Sequence, residues 1–288
     1  KAVAYSQKDD VIIATFGDLI RVPGSASSLE KEKTAGADIR IVFSALDALG
    51  IARSNPGKKV IFPGIGFETT APGTAVTIKQ AALEDIRNFF VLSAHKVMPP
   101  AMEAIVKEGS AIDGFICPGH VAAITGSSIF NFLPEKYGIG CVVTGFEPAD
   151  LLQSLLMLIE QVNRKDPGVE IQYKRAVTLN GNAIAQKNLM EVFRSADAYW
   201  RGFGLIPRSG LVPADKFKLF DAELSIPVSV PFHEENVLCI CPEILRGRKD
   251  PADCPLFAAA CSPENPVGAC MVSAEGACNT WYKYNRER

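Results

Sequence analysis

Six of the eight cysteines in this 288-residue chain lie between Cys239 and Cys278. That window contains no histidine, and prolines and glycines are frequent in it. Loops rich in Pro and Gly can wrap ligands around a metal, whereas neither a helix nor a sheet places six thiols at such irregular intervals. Apolar residues in and just after the window, among them Leu256, Met271 and Trp281, are atypical of a mobile tail. The sequence therefore predicts a segment that folds around a metal centre or a set of redox-active thiols.

Three kinds of chemistry are open for these cysteines. Irregularly spaced thiolates favour an iron–sulfur cluster, which needs four of them and leaves two as a redox-active pair. Structural zinc is an alternative, although zinc modules prefer paired C-x2-4-C units and the window has none. Structural disulfides are the third possibility, but the sequence shows no signal peptide, and the cytosol keeps thiols reduced. We therefore expect a cytoplasmic iron–sulfur protein.

Composition excludes two classes of partner. Lys and Arg together number 30, Asp and Glu together number 32, and the sequence pI is about 6.0. A protein that binds nucleic acid or a membrane surface would carry a basic excess. No stretch approaches the length of uninterrupted apolar sequence that a membrane-spanning helix needs. We expect no nucleic-acid partner and no membrane partner.

Short β-branched runs alternate with helical stretches before residue 200. Strands are predicted at 11–16, 39–43, 60–62, 90–92, 115–116 and 142–143, and helices at 45–53, 74–85, 100–108 and 148–163. The last helix has an amphipathic face formed by Leu151, Leu152, Leu155, Leu156 and Ile159. Strands separated by helices are typical of βαβ units and a parallel sheet. We predict an α/β fold with two parallel-sheet βαβ lobes at 1–85 and 86–200, followed by a connecting segment and a small, loop-rich, Cys-rich iron–sulfur lobe at 201–288.

Chemically versatile residues follow several predicted strands, where α/β sheets place their ligand sites. The candidates are Asp18, Arg21, Glu68, His120 and Glu147. Together in one cleft they would form an active site, yet each also has a structural alternative. Asp18 and Arg21 can pair to fix a loop, the two glutamates can stabilise helix N-termini, and His120 can be a hydrogen-bonded structural residue. A nucleotide-dependent enzyme is disfavoured, because Gly64-x-Gly66 is only half of a dinucleotide-binding fingerprint.

Several longer motifs resemble those of the hydrogenase formation protein (HypD) family. They are Thr15-Phe16-Gly17-Asp18, Arg21-Val22-Pro23-Gly24-Ser25, Gly66-Phe67-Glu68-Thr69-Thr70-Ala71-Pro72, Pro118-Gly119-His120-Val121, Gly145-Phe146-Glu147-Pro148, Trp200-Arg201-Gly202 and the stretch from Pro266 to Cys278. The resemblance runs along the whole chain. It implies a maturation factor for [NiFe]-hydrogenase, with a two-lobed α/β body and a Cys-rich lobe that carries a [4Fe-4S] cluster.

The resemblance also implies partners and roles for the cysteines. With a small HypC-type chaperone, such a protein holds an iron while its cyanide and carbonyl ligands are installed to give Fe(CN)2(CO), and a HypE-type protein donates the cyanide. The implied cluster ligands are Cys239, Cys254, Cys261 and Cys278, and the implied redox thiol pair is Cys241 and Cys270. Such a pair converts the single electrons of a cluster into two-electron thiol chemistry. The chain is then a metallocentre-assembly scaffold with redox activity.

The sequence departs from the family pattern at two places. The family motifs Cys-Gly-x-His and Gly-Pro-Gly-Cys-Pro-x-Cys, thought to hold the iron, should precede Val11, yet no cysteine precedes Cys117. We therefore expect a chain that begins after those motifs. Pro242 stands after Cys241 where the family has glycine, and it removes one backbone donor. The alternative functions are a stand-alone iron–sulfur electron-transfer or thiol-reductase module, and a zinc-stabilised binding scaffold.

Overall fold

The structure is a computed structural model that describes residues 1–230 and 236–285. The chain divides into two compact units. The first comprises Lys1–Val97, Ala183–Ala196 and Gly210–His233, and the second comprises Met98–Asn182, Asp197–Ser209 and Glu234–Arg288. Each unit is therefore assembled from three separate stretches of sequence. The three-part division at residues 85 and 200 stays a prediction.

Strands and helices alternate through most of the described residues. The strands are β1 (Val11–Thr15), β2 (Ile39–Ile41), β3 (Lys59–Gly66), β4 (Phe89–His95), β5 (Gly114–Pro118), β6 (Gly140–Thr144), β7 (Val169–Ile171), β8 (Phe193–Trp200) and β9 (Gly204–Pro213). The helices are α1 (Ala2–Ser6), α2 (Leu29–Thr34), α3 (Ala45–Ser54), α4 (Ala71–Leu83), α5 (Met98–Val106), α6 (Gly119–Thr125), α7 (Phe132–Tyr137), α8 (Pro148–Arg164), α9 (Ala183–Val192), α10 (Ala222–Ser225), α11 (Cys241–Leu245), α12 (Ala269–Val272) and α13 (Ala277–Tyr284). Short 3-10 segments lie at Gly17–Arg21, Ser127–Phe130, Asp215–Phe220 and Pro251–Asp253.

The first unit contains a four-stranded parallel sheet in the order β2-β1-β3-β4. Both of its faces are covered, which explains the unbroken apolar runs in its strands. On β1, Ile12 and Ala14 belong to the core of one face, whereas Val11 and Ile13 belong to the core of the other. Helices α3, α4 and α9 contribute to the first core, and α1, α2 and α10 to the second.

The helix α3 shows how local sequence sets the element boundaries. The Ser44 hydroxyl accepts a hydrogen bond from the Asp47 amide, and the Asp47 carboxylate accepts one from the Ser44 amide. This reciprocal capping box satisfies backbone donors that the first turn of a helix leaves open. The helix therefore begins immediately after Ser44 and packs on the first core.

The second unit contains a three-stranded parallel sheet in the order β5-β6-β7. One core of this unit gathers residues of α5, α6, α7, β5 and β6, including Cys117 and Cys141. The α/β class with parallel-sheet βαβ units is thus confirmed, and β8 and β9 add a two-stranded hairpin. No helix in the described ranges is long and apolar enough to cross a membrane.

The helix α8 packs on β5 and β6 with its polar side inward. Its buried residues are Asp150, Ser154, Leu158 and Gln161. Its apolar face lies at the surface, where Leu151, Leu152, Leu155, Leu156 and Ile159 are between 43% and 69% exposed. An amphipathic face usually turns towards the core, so the orientation of this helix needs a separate cause.

Two glycines at the start of the strands provide that cause. A Cβ added at Gly114 would lie 2.6 Å from Leu158 Cδ1, and one added at Gly140 would overlap Gln161 Oε1. The Gln161 amide nitrogen donates to Glu170 Oε1 at 2.8 Å, and its oxygen accepts from the Gly168 amide at 3.1 Å. The polar side of α8 is therefore held by close backbone approach and by hydrogen bonds.

Candidate functional site

The cysteine-rich window folds into a compact core within the second unit. Cys241, Cys254, Cys261, Cys270 and Cys278 are all 9% exposed or less, together with Ile244, Leu256 and Met271. Short helices and turns bring these cysteines together. The helices α11 and α12 and the 3-10 segment at Pro251–Asp253 are each at most five residues long. The apolar residues noted in the sequence thus enclose the thiols.

A disulfide joins Cys241 and Cys270, whose Cα atoms lie 6.3 Å apart. The backbone N–H of Cys270 donates to Cys241 Sγ at 3.3 Å. Cys241 is the first residue of α11, and Pro242 follows in the first turn, where a missing amide hydrogen costs no helical hydrogen bond. The substitution of proline for the family glycine is therefore compatible with the local fold. The redox role of this cysteine pair stays a prediction.

The four other cysteines of the window lie outside the disulfide: Cys254, Cys261 and Cys278 belong to the same buried cluster, and Cys239 packs against it. Burial, with a smaller contribution from the neighbouring Cys254, Cys261 and Cys239, raises the pKa of the Cys278 thiol to about 12. The backbone N–H of Val267 donates to Cys261 Sγ at 3.3 Å. A thiol surrounded by three others resists deprotonation because their thiolate charges would repel each other. A bound cation would remove that repulsion.

Gly268 lies directly against two of the sulfurs. A Cβ added at this residue would lie 2.5 Å from Cys239 Sγ and 2.8 Å from Cys241 Sγ. Only glycine leaves room for both atoms, so one sulfur of the disulfide and one of the four other thiols are close neighbours. The donor set is all thiol, which fits an iron–sulfur cluster.

The described residues contain no group of three or more His, Cys, Asp or Glu side chains arranged to hold a single metal ion. The assignment of Cys239, Cys254, Cys261 and Cys278 as cluster ligands stays a prediction.

Ion pairs anchor α11 to the loop that precedes β5. Arg246 donates to Glu108 Oε2 at 2.8 Å and to Glu243 Oε1 at 3.1 Å, and its side chain is only 12% exposed. Arg248 donates to the Gly109 carbonyl at 2.7 Å. The Arg246 guanidinium also lies 5.5 Å from the ring centroid of Phe203, in the β8–β9 turn. The first cysteine of the disulfide therefore sits on a helix that is fixed at its other end.

A second group of predicted site residues meets at the carboxyl edge of the β5-β6-β7 sheet. The His120 ring stacks on Phe146 with ring centroids 4.2 Å apart, and Tyr173 lies 6.4 Å from His120. Gly119 and Gly145 both press against Tyr173, since an added Cβ would lie 2.7 and 2.8 Å from its ring carbons. The strand ends after β5, β6 and β7 are thus packed around one aromatic ring.

A charged pair beside this ring was not expected from the sequence. Arg175 donates to Asp150 Oδ1 at 2.9 Å and to Oδ2 at 2.5 Å, and Gln172 donates to Oδ1 at 2.9 Å. These bonds hold the pKa of the Asp150 carboxyl well below its usual range. The predicted candidate Glu147 is 4.0 Å from Arg175, and its side chain is 77% exposed. Asp150 therefore holds Arg175, and Glu147 remains at the surface.

Replacing Asp150 by alanine should lower the thermal unfolding temperature by several degrees, because Arg175 and Gln172 lose their shared acceptor. Replacing the exposed Glu147 by alanine, in the same turn of α8, is the matched control and should change it little. Circular dichroism during heating measures both variants. Equal effects would show that the Asp150–Arg175 pair contributes no more than a surface charge.

The other three predicted candidates belong to the first unit. Asp18 and Arg21 line a cavity of about 530 Å³ at the end of β1. Arg21 pairs with Glu30 at 3.2 Å, so the pairing of Arg21 with Asp18, given above as the structural alternative for these two residues, is not formed. Glu68 is 5% exposed and lies just before α4, whose N-cap is Thr70. Convergence of all five candidates on one cleft stays a prediction.

Comparison with known proteins decides the family. The sequence model of the HypD family, described as "Hydrogenase formation hypA family", matches residues 1–285. The chain belongs to the HypD family. It is 44% identical over 296 residues to the hydrogenase maturation factor HypD2 of Bradyrhizobium diazoefficiens, which covers 100% of this chain and 78% of that protein. It is 41% identical over 287 residues to the hydrogenase maturation factor HypD of Escherichia coli, with 99% and 77% covered.

A relative from an archaeon is equally similar to this HypD-family chain. A putative hydrogenase expression/formation protein of Methanocaldococcus jannaschii is 45% identical over 284 residues, which cover 98% of this chain and 79% of the relative. The resemblance drawn from the sequence motifs is thereby confirmed.

One buried histidine of this HypD-family chain was missed by the sequence reasoning. His95, at the end of β4, is 1% exposed. Ser93 Oγ donates to the Leu211 carbonyl at 2.5 Å, so it accepts from His95 Nδ1 at 3.4 Å, and His95 Nε2 accepts from Thr74 Oγ1 at 3.3 Å. Burial lowers the pKa of His95 to about 4. The only available signal was a Ser-x-His pattern at a strand end.

This burial makes the stability of the protein depend on pH. The pKa of this histidine is near 6.5 in the unfolded chain and about 4 in the folded one, so the unfolded state binds more protons as the pH falls below 6.5. The contribution of His95 to the free energy of unfolding should be present at pH 7 and about 2 kcal/mol smaller at pH 5. Urea unfolding at both pH values measures it. A His95→Gln variant should lose this part of the pH dependence, and an unchanged dependence would contradict the assignment.

Proposed function

We propose that this chain is a maturation factor for [NiFe]-hydrogenase that works with a HypC-type chaperone. Together they hold an iron while cyanide and carbonyl ligands are added to give Fe(CN)2(CO), and a HypE-type protein donates the cyanide. The observation that carries the proposal is the thiol core of the second unit, where a disulfide adjoins four further cysteines in a HypD-family chain. Relatives named hydrogenase maturation factors support it.

Cys239, Cys254, Cys261 and Cys278 are the proposed ligands of a [4Fe-4S] cluster. The raised pKa of Cys278 supports this assignment, because a thiol among three others gains most from a positively charged group between them. The Val267 amide can donate to a ligand sulfur, an interaction that tunes reduction potential. A bound cluster would supply electrons one at a time.

Cys241 and Cys270 are the proposed redox pair that receives electrons from the cluster, two for each disulfide reduced. Their disulfide accepts two electrons and two protons to become two thiols. Gly268 keeps Cys241 Sγ next to Cys239 Sγ, so the pair is in immediate reach of a proposed ligand. Burial of both cysteines, at 2% and 4% exposed, limits their exchange with bulk solvent. The chain then stores reducing equivalents for the step that assembles the iron ligands.

Metal analysis of the chain purified without oxygen tests the proposal. About four iron and about four acid-labile sulfide per chain, with the brown absorption of a cluster, are expected. Stoichiometric zinc without sulfide would instead indicate a structural metal site and would remove the redox role.

A binding experiment separates the maturation scaffold from a stand-alone electron-transfer or thiol-reductase module. The cluster-loaded chain is mixed with a HypC-type chaperone and passed over a sizing column. Co-elution, with infrared bands of iron-bound cyanide and carbonyl after a HypE-type donor is added, supports the scaffold. A loaded chain that reduces disulfides but does not bind the chaperone supports the module.

A further inference from the structure

The two sulfurs of the disulfide have different surroundings. A Cβ added at Gly268 would lie 2.8 Å from Cys241 Sγ, so the backbone of Gly268 lies against this sulfur. The β8–β9 turn passes near the Cβ of the same residue: Gly202 in that turn has φ +92°, and a Cβ added there would lie 3.6 Å from Cys241 Cβ. The turn is itself held by the packing of Phe203 under Arg246. An incoming reagent therefore meets the Gly268 backbone beside the sulfur of Cys241 and the β8–β9 turn near its Cβ.

The elements that carry the two cysteines also differ in how firmly they are held. Cys241 begins α11, which Arg246 and Glu243 fix through ion pairs to each other and to Glu108. Cys270 belongs to α12, a helix of four residues that one buried side-chain hydrogen bond holds, from the Asn279 amide to the Met271 carbonyl at 2.9 Å. Because both sulfurs are buried, exchange needs local opening, and α12 has fewer polar anchors to break than α11. The side of Cys270 is the easier one to uncover.

A hydrogen bond distinguishes the sulfurs as leaving groups. The Cys270 amide donates to Cys241 Sγ at 3.3 Å. Among the described residues, no backbone amide donates to Cys270 Sγ. Thiol–disulfide exchange is faster when the departing sulfur is better able to carry negative charge. Cleavage that releases Cys241 is therefore favoured over cleavage that releases Cys270.

We infer that Cys270 is the sulfur at which an external thiol attacks, and that Cys241 is the inner sulfur that departs towards Cys239. The attacking thiolate forms a bond to Cys270 Sγ while the Sγ–Sγ bond breaks and its electron pair remains on Cys241. The external thiol is the reductant. A second external thiolate then attacks the first at the mixed disulfide, which releases Cys270 as a thiolate and leaves the two reagent thiols joined as a disulfide, whereas attack by the Cys241 thiolate expels the reagent and restores the original disulfide. This inference rests on the proposed redox role of the pair.

Sulfite, a small nucleophile that cleaves disulfides, tests the inference on the unaltered chain purified without oxygen. It leaves an S-sulfonate on the attacked cysteine and a thiolate on the other, and acid quenching with N-ethylmaleimide traps both. We expect S-sulfonate at Cys270 in about tenfold excess over Cys241, read by tandem mass spectrometry. The same reaction in urea should show no preference.

Two outcomes overturn the inference. One is equal or greater S-sulfonate at Cys241 in the folded chain. The other is no cleavage of the folded chain under conditions that cleave it fully in urea, since neither sulfur would then be open to attack. Iron and sulfide are measured on the same sample. If the chain contains no iron and no sulfide but S-sulfonate still forms preferentially at Cys270, the proposed cluster is absent while this inference holds.

Replacing Phe203 by alanine tests the role of the β8–β9 turn. Loss of the ring frees the turn from Arg246, so the preference for Cys270 should fall at least about threefold. Leu205→Ala is the matched control, because Leu205 is 62% exposed on the neighbouring strand β9 and should leave the preference unchanged. An unchanged preference in the Phe203 variant would overturn the covering role of the turn.

Discussion

Replacing Cys254 by serine is expected to leave the purified chain with almost no iron and almost no acid-labile sulfide. Cys254 is 9% exposed and is one of the three cysteines that raise the pKa of Cys278. A [4Fe-4S] cluster takes one thiolate for each of its four irons, and a serine hydroxyl is a much harder ligand than a thiolate. The unaltered chain should carry about four of each element. Colorimetric iron and sulfide assays, with the visible spectrum, measure the loss.

Cys117 supplies the matched control for this experiment. It is also buried, but in the core of the β5-β6-β7 sheet, where a hydrogen bond with Cys141 and then burial raise its pKa well above the usual value. Cys117→Ala should therefore retain full iron and sulfide. The ligand assignment would be wrong if Cys254→Ser kept its iron, or if the control lost it. The same loss is expected for serine variants of Cys239, Cys261 and Cys278.

Replacing Gly268 by alanine is expected to lower both the iron content and the disulfide content of the chain by more than half. The new methyl group would lie 2.5 Å from Cys239 Sγ and 2.8 Å from Cys241 Sγ, well inside normal contact. Overpacking of this kind costs about 1–3 kcal/mol, and one of the two sulfurs has to move to relieve it. Metal analysis and quantification of alkylated cysteines, with and without reduction, measure the two losses.

Gly168→Ala is the control for this second prediction. Gly168 belongs to the same unit, and a Cβ added there meets nothing within 4 Å. It should keep both the iron and the disulfide at the level of the unaltered chain. If Gly268→Ala behaves like this control, the close approach of the two sulfurs is not required for either feature.

The sequence was sufficient for the α/β class because the evidence for it is local. Strands that are buried on both faces show as short apolar runs, and the intervening helices show their own periodicity. The orientation of α8 was not accessible in the same way. It depends on Gly114 and Gly140, which are distant in sequence from Leu158 and Gln161 and admit them only once the sheet has formed.

The sequence predicted those residues of the candidate site that lie in short, recognisable motifs. The cysteine window, His120 and Glu147 stood out by residue type and position. Cysteine spacing could not select the Cys241–Cys270 pair, since six thiols in a loop-rich segment allow many pairings. Asp150 and Arg175 were missed because their ion pair joins residues that are 25 positions apart. A helical aspartate and a loop arginine carry no shared signal before folding.

The interleaved composition of the first unit also bears on how the protein is made. Its sheet is complete at His95, but one core includes Phe193, Leu211 and Phe217 from much later in the chain. At about 5–20 residues per second, a ribosome needs on the order of 10 s to synthesise the intervening stretch. Throughout that time one apolar face of the nascent sheet is covered by α3 and α4 but lacks the later residues that complete its core. We therefore expect ribosome-associated chaperones to bind the growing chain, and the first unit to mature only after most of the second has been translated.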